Sequence, residues 1–149
     1  ATRWRVEWDI KVSLDNYEVS SDPERLDVEM IHEVLRNSYW AQGRERETTE
    51  IILKNSLCFG GYLSGQQVAF GRVVTDRAII GYMADIFVLP EFRGRGLGRM
   101  LVRTILEHPD VARLQVILLR TRDAHSVYQR FGFCPLPRPE EMLARYSKS

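Results

Sequence analysis

Cysteine is scarce in this chain of 149 residues: Cys58 and Cys134 are the only two. Two cysteines make neither a disulfide framework nor a zinc-ligand pattern, so the expectation is two reduced thiols in or near the core, with a single bridge as the alternative. An excess of charge is also lacking, since 21 Lys and Arg face 20 Asp and Glu, a balance of +1. Binding to nucleic acid through bulk charge is therefore not expected, which leaves room only for a local basic patch. No apolar run approaches the roughly 20 residues of a membrane span. The opening "ATRWRVEWDIKV" is charged throughout and holds no signal-peptide core, so a cytoplasmic location is expected. The sequence has no internal repeat, low-complexity tract or linker, and no His, Cys and acid cluster at metal-ligand spacing, so no metal is expected.

What is present is a core: 44% of the residues are hydrophobic, enough to fold residues 1–149 as one domain. Residues 4–12 alternate like a strand and "NYEVS" reads as another. The run "SSDPERLDVEMIHEVLRN" opens with a cap and a proline, then sets Leu26, Met30, Ile31, Val34 and Leu35 on one helical face. Gly43 breaks the pattern before a charged helix from about Arg44 to Asn55. Three strand-like runs follow, "LCFGGYL", "QVAFGRVV" and "AIIGYMADIFVL", joined by turns short enough for an antiparallel meander. A helix with Leu97, Leu101 and Ile105 on one stripe ends at His108-Pro109. The apolar "LQVILLR" reads as a strand buried on both faces, "RDAHSVYQRFGF" as a helix capped by Asp123, and "CPLPRPEEMLARY" as an irregular tail with one last helix. Helices alternating with strands in this order make a mixed α/β fold.

The unusual segment is "VLPEFRGRGLGRMLV", where three glycines and three arginines meet at the start of a helix. One reading is a turn that needs positive φ. Dinucleotide binding fails on spacing, because Arg99 and Leu101 stand where a third glycine belongs, and no Gly-Lys-Ser/Thr makes it a phosphate loop of the other common kind. The remaining reading is a diphosphate cradle: without Cβ atoms, consecutive backbone N–H groups converge on phosphate oxygens, the helix dipole adds to them, and the arginines face anions.

Arg93-Gly94-Arg95-Gly96-Leu97-Gly98 resembles the R/Q-x-x-G-x-G/A signature of the GNAT superfamily of acyl-CoA-dependent N-acetyltransferases. Upstream, "ADIFVLPEF" is similar to the family's splayed fourth strand with its V-x-P-x-x-R exit. Downstream, Ala124, Tyr128, Gly132 and Phe133 match the family's A-x-x-x-Y-x-x-x-G-F motif. The likeness runs from about Leu57 to Phe133. It implies a central, mostly antiparallel, splayed sheet with helices on both faces, and transfer of an acetyl group from acetyl-CoA to a primary amine. By the same resemblance Arg93, Gly94, Arg95, Gly96, Leu97, Gly98 and Arg99 hold the pyrophosphate, while backbone groups at Phe87 and Val88 pair with the pantetheine arm. Thr121 departs from the asparagine that many relatives carry at that place.

Such chemistry needs a base for an ammonium of pKa about 10.4 and an acid for a leaving thiolate of conjugate pKa about 8.5. Tyr128 is the family-matched acid. Asp85, an acid inside an apolar strand, is the candidate base, acting directly or through water, with an ordered water as the other acceptor of the amine proton and Glu47 and Glu50 as weaker alternatives. Tyr39, Trp40, Tyr62 and Tyr82 are candidates for the acceptor pocket. Asp123, His125 and Ser126 lie within one helical turn and cannot form a triad. The acceptor is expected to be a small-molecule or peptide amine, not a nucleic acid or membrane, and the oligomeric state is open, a dimer included. Two alternatives stand beside this reading: a non-catalytic acyl-CoA sensor, and an enzyme that modifies protein lysines or N-termini.

Overall fold

The structure is a computed structural model that describes residues 16–147. The strand expected over 4–12 lies outside the described residues. Five strands form one sheet in sequence order: β1 (Tyr17–Ser20), β2 (Leu57–Leu63), β3 (Gln66–Thr75), β4 (Ile80–Val88) and β5 (Val116–Leu119). The first four pair antiparallel and β5 joins β4 in parallel. The meander follows from its turns. Ser64 and Gly65 both take positive φ, as a two-residue hairpin of matching twist requires. Asp76 closes the next turn by accepting the amides of Ala78, Ile79 and Ile80 on one carboxylate oxygen.

Helices cover both faces. α1 (Val28–Arg36) and α2 (Arg46–Asn55) lie on one side, where Ile31 and Leu35 pack with Cys58, Phe70 and Phe87. α3 (Leu97–Glu107) lies on the other, and its stripe Leu97, Leu101 and Ile105 is fully buried against Phe59, Ala69, Val73 and Met83. Each of those aliphatic side chains contributes about 1.5–3 kcal/mol by leaving water. Thr104, also buried, returns its hydroxyl to the Met100 carbonyl at 2.8 Å. Two short helices follow among the described residues, α4 (Pro109–Ala112) and α5 (His125–Gln129). No helix among the described residues is long and apolar enough to cross a membrane.

Four expectations need correction. The helix expected from residue 22 is split: Asp22 caps a single 3-10 turn, Leu26 is extended, and α1 starts from a second cap, Asp27, which accepts the Met30 amide at 3.1 Å. β5 is not buried on both faces. It is the sheet edge, with Val116 exposed and its other residues half-buried, because no described strand pairs beyond it. Asp123 does not cap α5; the Thr121 hydroxyl accepts the Ala124 amide instead, at 3.0 Å. The tail carries only a 3-10 turn, Pro139–Glu141, after which Leu143 stands almost fully exposed. Both cysteines are free, and Cys134 is on the surface while Cys58 is buried.

Candidate functional site

The site begins with an irregularity in β4. Phe70 pairs with Phe87 and Arg72 with Ala84, so Gly71 faces two residues, Asp85 and Ile86. Asp85 takes φ +56, a left-handed value that aspartate tolerates better than most residues. The extra residue changes which face each side chain meets. Met83 packs on the α3 side and Phe87 on the α1 side, although residues four apart in a regular strand share a face. Pairing with β5 stops at Met83–Leu119 while β4 continues to Val88. The two parallel strands part there, and a cavity of about 780 Å³ opens between them.

Asp85 forms the floor of this cavity with its side chain 2% exposed. One carboxylate oxygen accepts Arg44 Nη1 at 2.9 Å and Arg72 Nε at 2.7 Å, and the other accepts Trp40 Nε1 at 2.7 Å. Arg72 also donates from Nη1 to Ser56 Oγ at 3.0 Å. Burial alone pushes the carboxyl up, but the hydrogen bond and charge of Arg72, then those of Arg44, outweigh it and hold Asp85 below the ordinary carboxylate range. A base works best with a pKa near the working pH. The geometry argues against Asp85 in that role: it is an ionised anchor that fastens the α1–α2 loop to the sheet. Arg44 is available for this because α2 starts at Arg46, two residues later than its charge pattern predicts.

Aromatic residues build the walls. Tyr39 and Trp40 meet edge to face at 5.1 Å, Tyr82 stands on β4, and Tyr128 comes from α5. Arg122, from the β5–α5 loop, lies 3.8 Å above the Tyr39 ring and so joins the two sides of the cleft. Tyr128 is half-buried and packs edge to face on Phe133 at 5.9 Å. Burial first, and then the neighbouring Tyr39, push its phenol above the ordinary value. It therefore stays protonated through the neutral range and can serve as a donor.

Other candidates fall elsewhere. Glu47 is exposed in the first turn of α2 and does not line the cavity, and Glu50 is paired with Arg46 at 3.2 Å. Tyr62 is buried under Arg25, whose guanidinium lies 4.1 Å over its ring. Cys58 lies beneath the floor, its thiol pushed up to about 11 mainly by burial, so it is no nucleophile at neutral pH. No group of three or more His, Cys, Asp or Glu among the described residues could hold a metal.

Beyond Asp85 the strand runs into the glycine segment. Gly94 and Gly96 take φ +80 and +83, and the place of an added Cβ is open space at both. Their left-handed backbone, not crowding, is what demands glycine. Gly96 is the N-cap of α3 and offers no side-chain cap, and the first turn holds no acid. Among the described residues, no protein acceptor takes the amides of residues 94–99, so the free donors of the helix start remain available. Arg95 and Arg99 are exposed, with no ion pair among the described residues. Arg93 donates from Nε to the Val88 carbonyl at 3.0 Å, which fixes the loop against the strand end. Tyr17 does the same from the far side by donating to the Leu97 carbonyl at 3.2 Å. Phe87 itself is a core side chain, and Val88 is half-buried at the cleft's end.

Three residues at the site escaped the sequence: Arg44, Arg72 and Arg122. A signal for Arg72 existed, since a buried acid in an apolar strand requires a cation and the meander sets Arg72 opposite Ala84. Arg44 and Arg122 reach the site through loops and left no periodic trace.

The family model of the acetyltransferase (GNAT) domain matches residues 54–135. A solved GNAT protein of Xanthomonas campestris pv. campestris is 41% identical, superposes with a TM-score of 0.86, and aligns over 88% of this chain and 93% of its own. An acetyltransferase-family protein of Gibberella zeae is 30% identical over 141 residues, covering 78% of each chain. A Clostridium acetobutylicum protein solved with acetyl-CoA shares the fold at a TM-score of 0.63 and 16% identity, over 88% of this chain and 95% of its own. Matching sequence motifs, the splayed sheet and these relatives agree: the chain belongs to the GNAT family of acetyltransferases.

Proposed function

We propose that the protein moves an acetyl group from acetyl-CoA to a primary amine by direct attack. The observation that carries this reading is the exposed left-handed glycine turn at the start of α3, with amides free of acceptors among the described residues, at the end of the same strand whose splay opens the cavity beside Tyr128. The backbone of residues 94–99 would bind the two linked phosphates, with Arg95 and Arg99 adding charge. The freed backbone of β4 from Ala84 to Val88 offers hydrogen bonds to the amides of the pantetheine arm, as an added strand would. The arm brings the thioester into the cavity.

The amine nitrogen attacks the thioester carbonyl, the C–N bond forms and the C–S bond breaks. The leaving sulfur takes the Tyr128 proton, and the amine gives its extra proton to water in the cavity, from which Tyr128 is reprotonated. Asp85 does not take that proton in this account; it holds Trp40, Arg44 and Arg72 in place. Replacing Tyr128 by Phe keeps the ring and removes the donor. Its kcat should fall by about 10²–10⁴, the usual contribution of a positioned acid, with the Kd for acetyl-CoA unchanged. Unchanged turnover in Tyr128→Phe would dismiss the acid. The triply hydrogen-bonded Asp85, held below the ordinary carboxylate range, gives one observation in favour of a non-catalytic acyl-CoA sensor, which predicts tight binding of acetyl-CoA with no thiol release for any amine.

A further inference from the structure

The floor of the cavity carries more positive charge than it needs for its own structure. Two guanidinium groups, 18% and 12% exposed, share one carboxylate that is 2% exposed, which leaves one half-buried positive charge uncompensated among the described residues. Three of their six guanidinium nitrogens, Nε and Nη2 of Arg44 and Nη2 of Arg72, have no partner there. They are not sealed in protein either, because Tyr62 Oη is the only fully buried side-chain polar atom without a hydrogen bond among the described residues. These donors therefore keep contact with solvent, and both arginines line the cavity. The rim adds Arg120 and Arg122, against Asp123 as the one further acid.

A polyamine or an aminoglycoside would bring two or more positive charges to such a floor, and its ammonium groups would find the buried carboxylate already taken. An anion would find a paired guanidinium floor, part-desolvated, where charge-assisted hydrogen bonds are at their strongest. The phosphates of the co-substrate have their own place in the glycine turn, so they do not account for this second positive site.

We propose that the acceptor amine also carries an anionic oxyacid group, a carboxylate or a phosphate, which docks on Arg44 and Arg72, while Tyr39, Trp40 and Tyr82 enclose its body. This names the substrate class for the acyl-transfer reading and rests on it. A charge on the acceptor then gives specificity as well as affinity, since a neutral amine leaves the floor unmatched.

Matched pairs test it: L-phenylalanine against L-phenylalaninol for a carboxylate, and O-phosphoethanolamine against ethanolamine for a phosphate, each assayed by thiol release from acetyl-CoA. In parallel, the N-acetylated form of each compound is titrated calorimetrically into the protein, which reads the site without turnover. In at least one pair the anionic member should have kcat/KM about ten-fold higher and bind correspondingly tighter, a preference of the size expected from one charge-assisted contact. Arg44→Gln should raise KM for that anionic member about ten-fold, with little change in kcat, and erase the difference within the pair. Thermal melting of Arg44→Gln checks that the fold persists; Arg72→Lys, which keeps the charge but loses the planar fork, should show the same loss more weakly. Absence of an anionic preference in both pairs and both assays overturns the proposal, as does a preference that survives in Arg44→Gln. Failure of the acyl-transfer reading is separate: acetyl-CoA itself would then not bind, or no thiol would be released while the N-acetylated anions still bind.

Discussion

Replacing Asp85 by Asn tests the anchor most sharply. Asparagine is nearly the same size and also accepts left-handed φ, so the bulge keeps its backbone and its Trp40 contact. The substitution removes one negative charge and turns an amide toward two guanidinium groups that donate to it at 2.7 and 2.9 Å. Each lost charge-assisted bond is worth about 1.5–3 kcal/mol, and stripping one partner from a buried ion pair costs about 3–5 kcal/mol. The arginines retain 18% and 12% exposure, so water reaches them in part and the lower end applies. The expected loss is about 3 kcal/mol, or a fall of about 6–12 °C in Tm. Urea titration followed by circular dichroism measures it. The double variant Asp85→Asn with Arg44→Gln should lose less than the sum of its parts, because the second change removes a stranded charge. A loss under about 1 kcal/mol, or strict additivity, would refute the view that this cluster holds the floor together.

Acid should reveal the same group. Because the folded state holds Asp85 below its ordinary value of 3.8, its contribution to stability is complete above about pH 4 and is lost as pH falls through the lower folded value. Stability measured against pH should therefore drop more gently in Asp85→Asn than in the parent below pH 4; parallel acid limbs would contradict this. At pH 7.5, one thiol should react rapidly with a maleimide and one slowly, since Cys134 is exposed and Cys58 is buried with its thiol raised to about 11. Equal rates, or rapid loss of both thiols from the folded protein, would mean the floor is open to solvent.

The parts of the molecule legible in the sequence were those with local signals. Three strands followed from their strand-like apolar runs and the short turns between them, Ser64-Gly65 included, and the α3 stripe came from spacing alone. The glycine turn was legible because positive φ leaves a direct mark on residue choice. The errors share another cause. The second cap at Asp27 was hidden because Asp22-Pro23 already satisfies every rule for a helix start. β5 looked like a doubly buried strand because a sequence of apolar residues carries no record of which neighbours are present. Asp85 was conspicuous as a buried acid, but its role depended on Arg44 and Arg72, which are 41 and 13 residues away. Composition can announce that a partner is needed; only the bulge, the register and the loop decide which one arrives.

In the proposed reaction, main-chain amides at the start of α3 take the two linked phosphates of the co-substrate. Isothermal titration with acetyl-CoA and with acetyl-pantetheine, which keeps the thioester and arm but lacks the pyrophosphate and the 3′-phosphoadenosine, gives the contribution of the nucleotide end, and repeating both titrations in Gly96→Ala assigns the share that belongs to the turn. Acetyl-CoA should bind at least about a hundred-fold tighter, equivalent to about 2.7 kcal/mol, and Gly96→Ala, where φ +83 strains any side chain, should narrow that gap by weakening acetyl-CoA and not acetyl-pantetheine. Equal affinities for the two ligands, or no binding of acetyl-CoA at millimolar concentration, would contradict it.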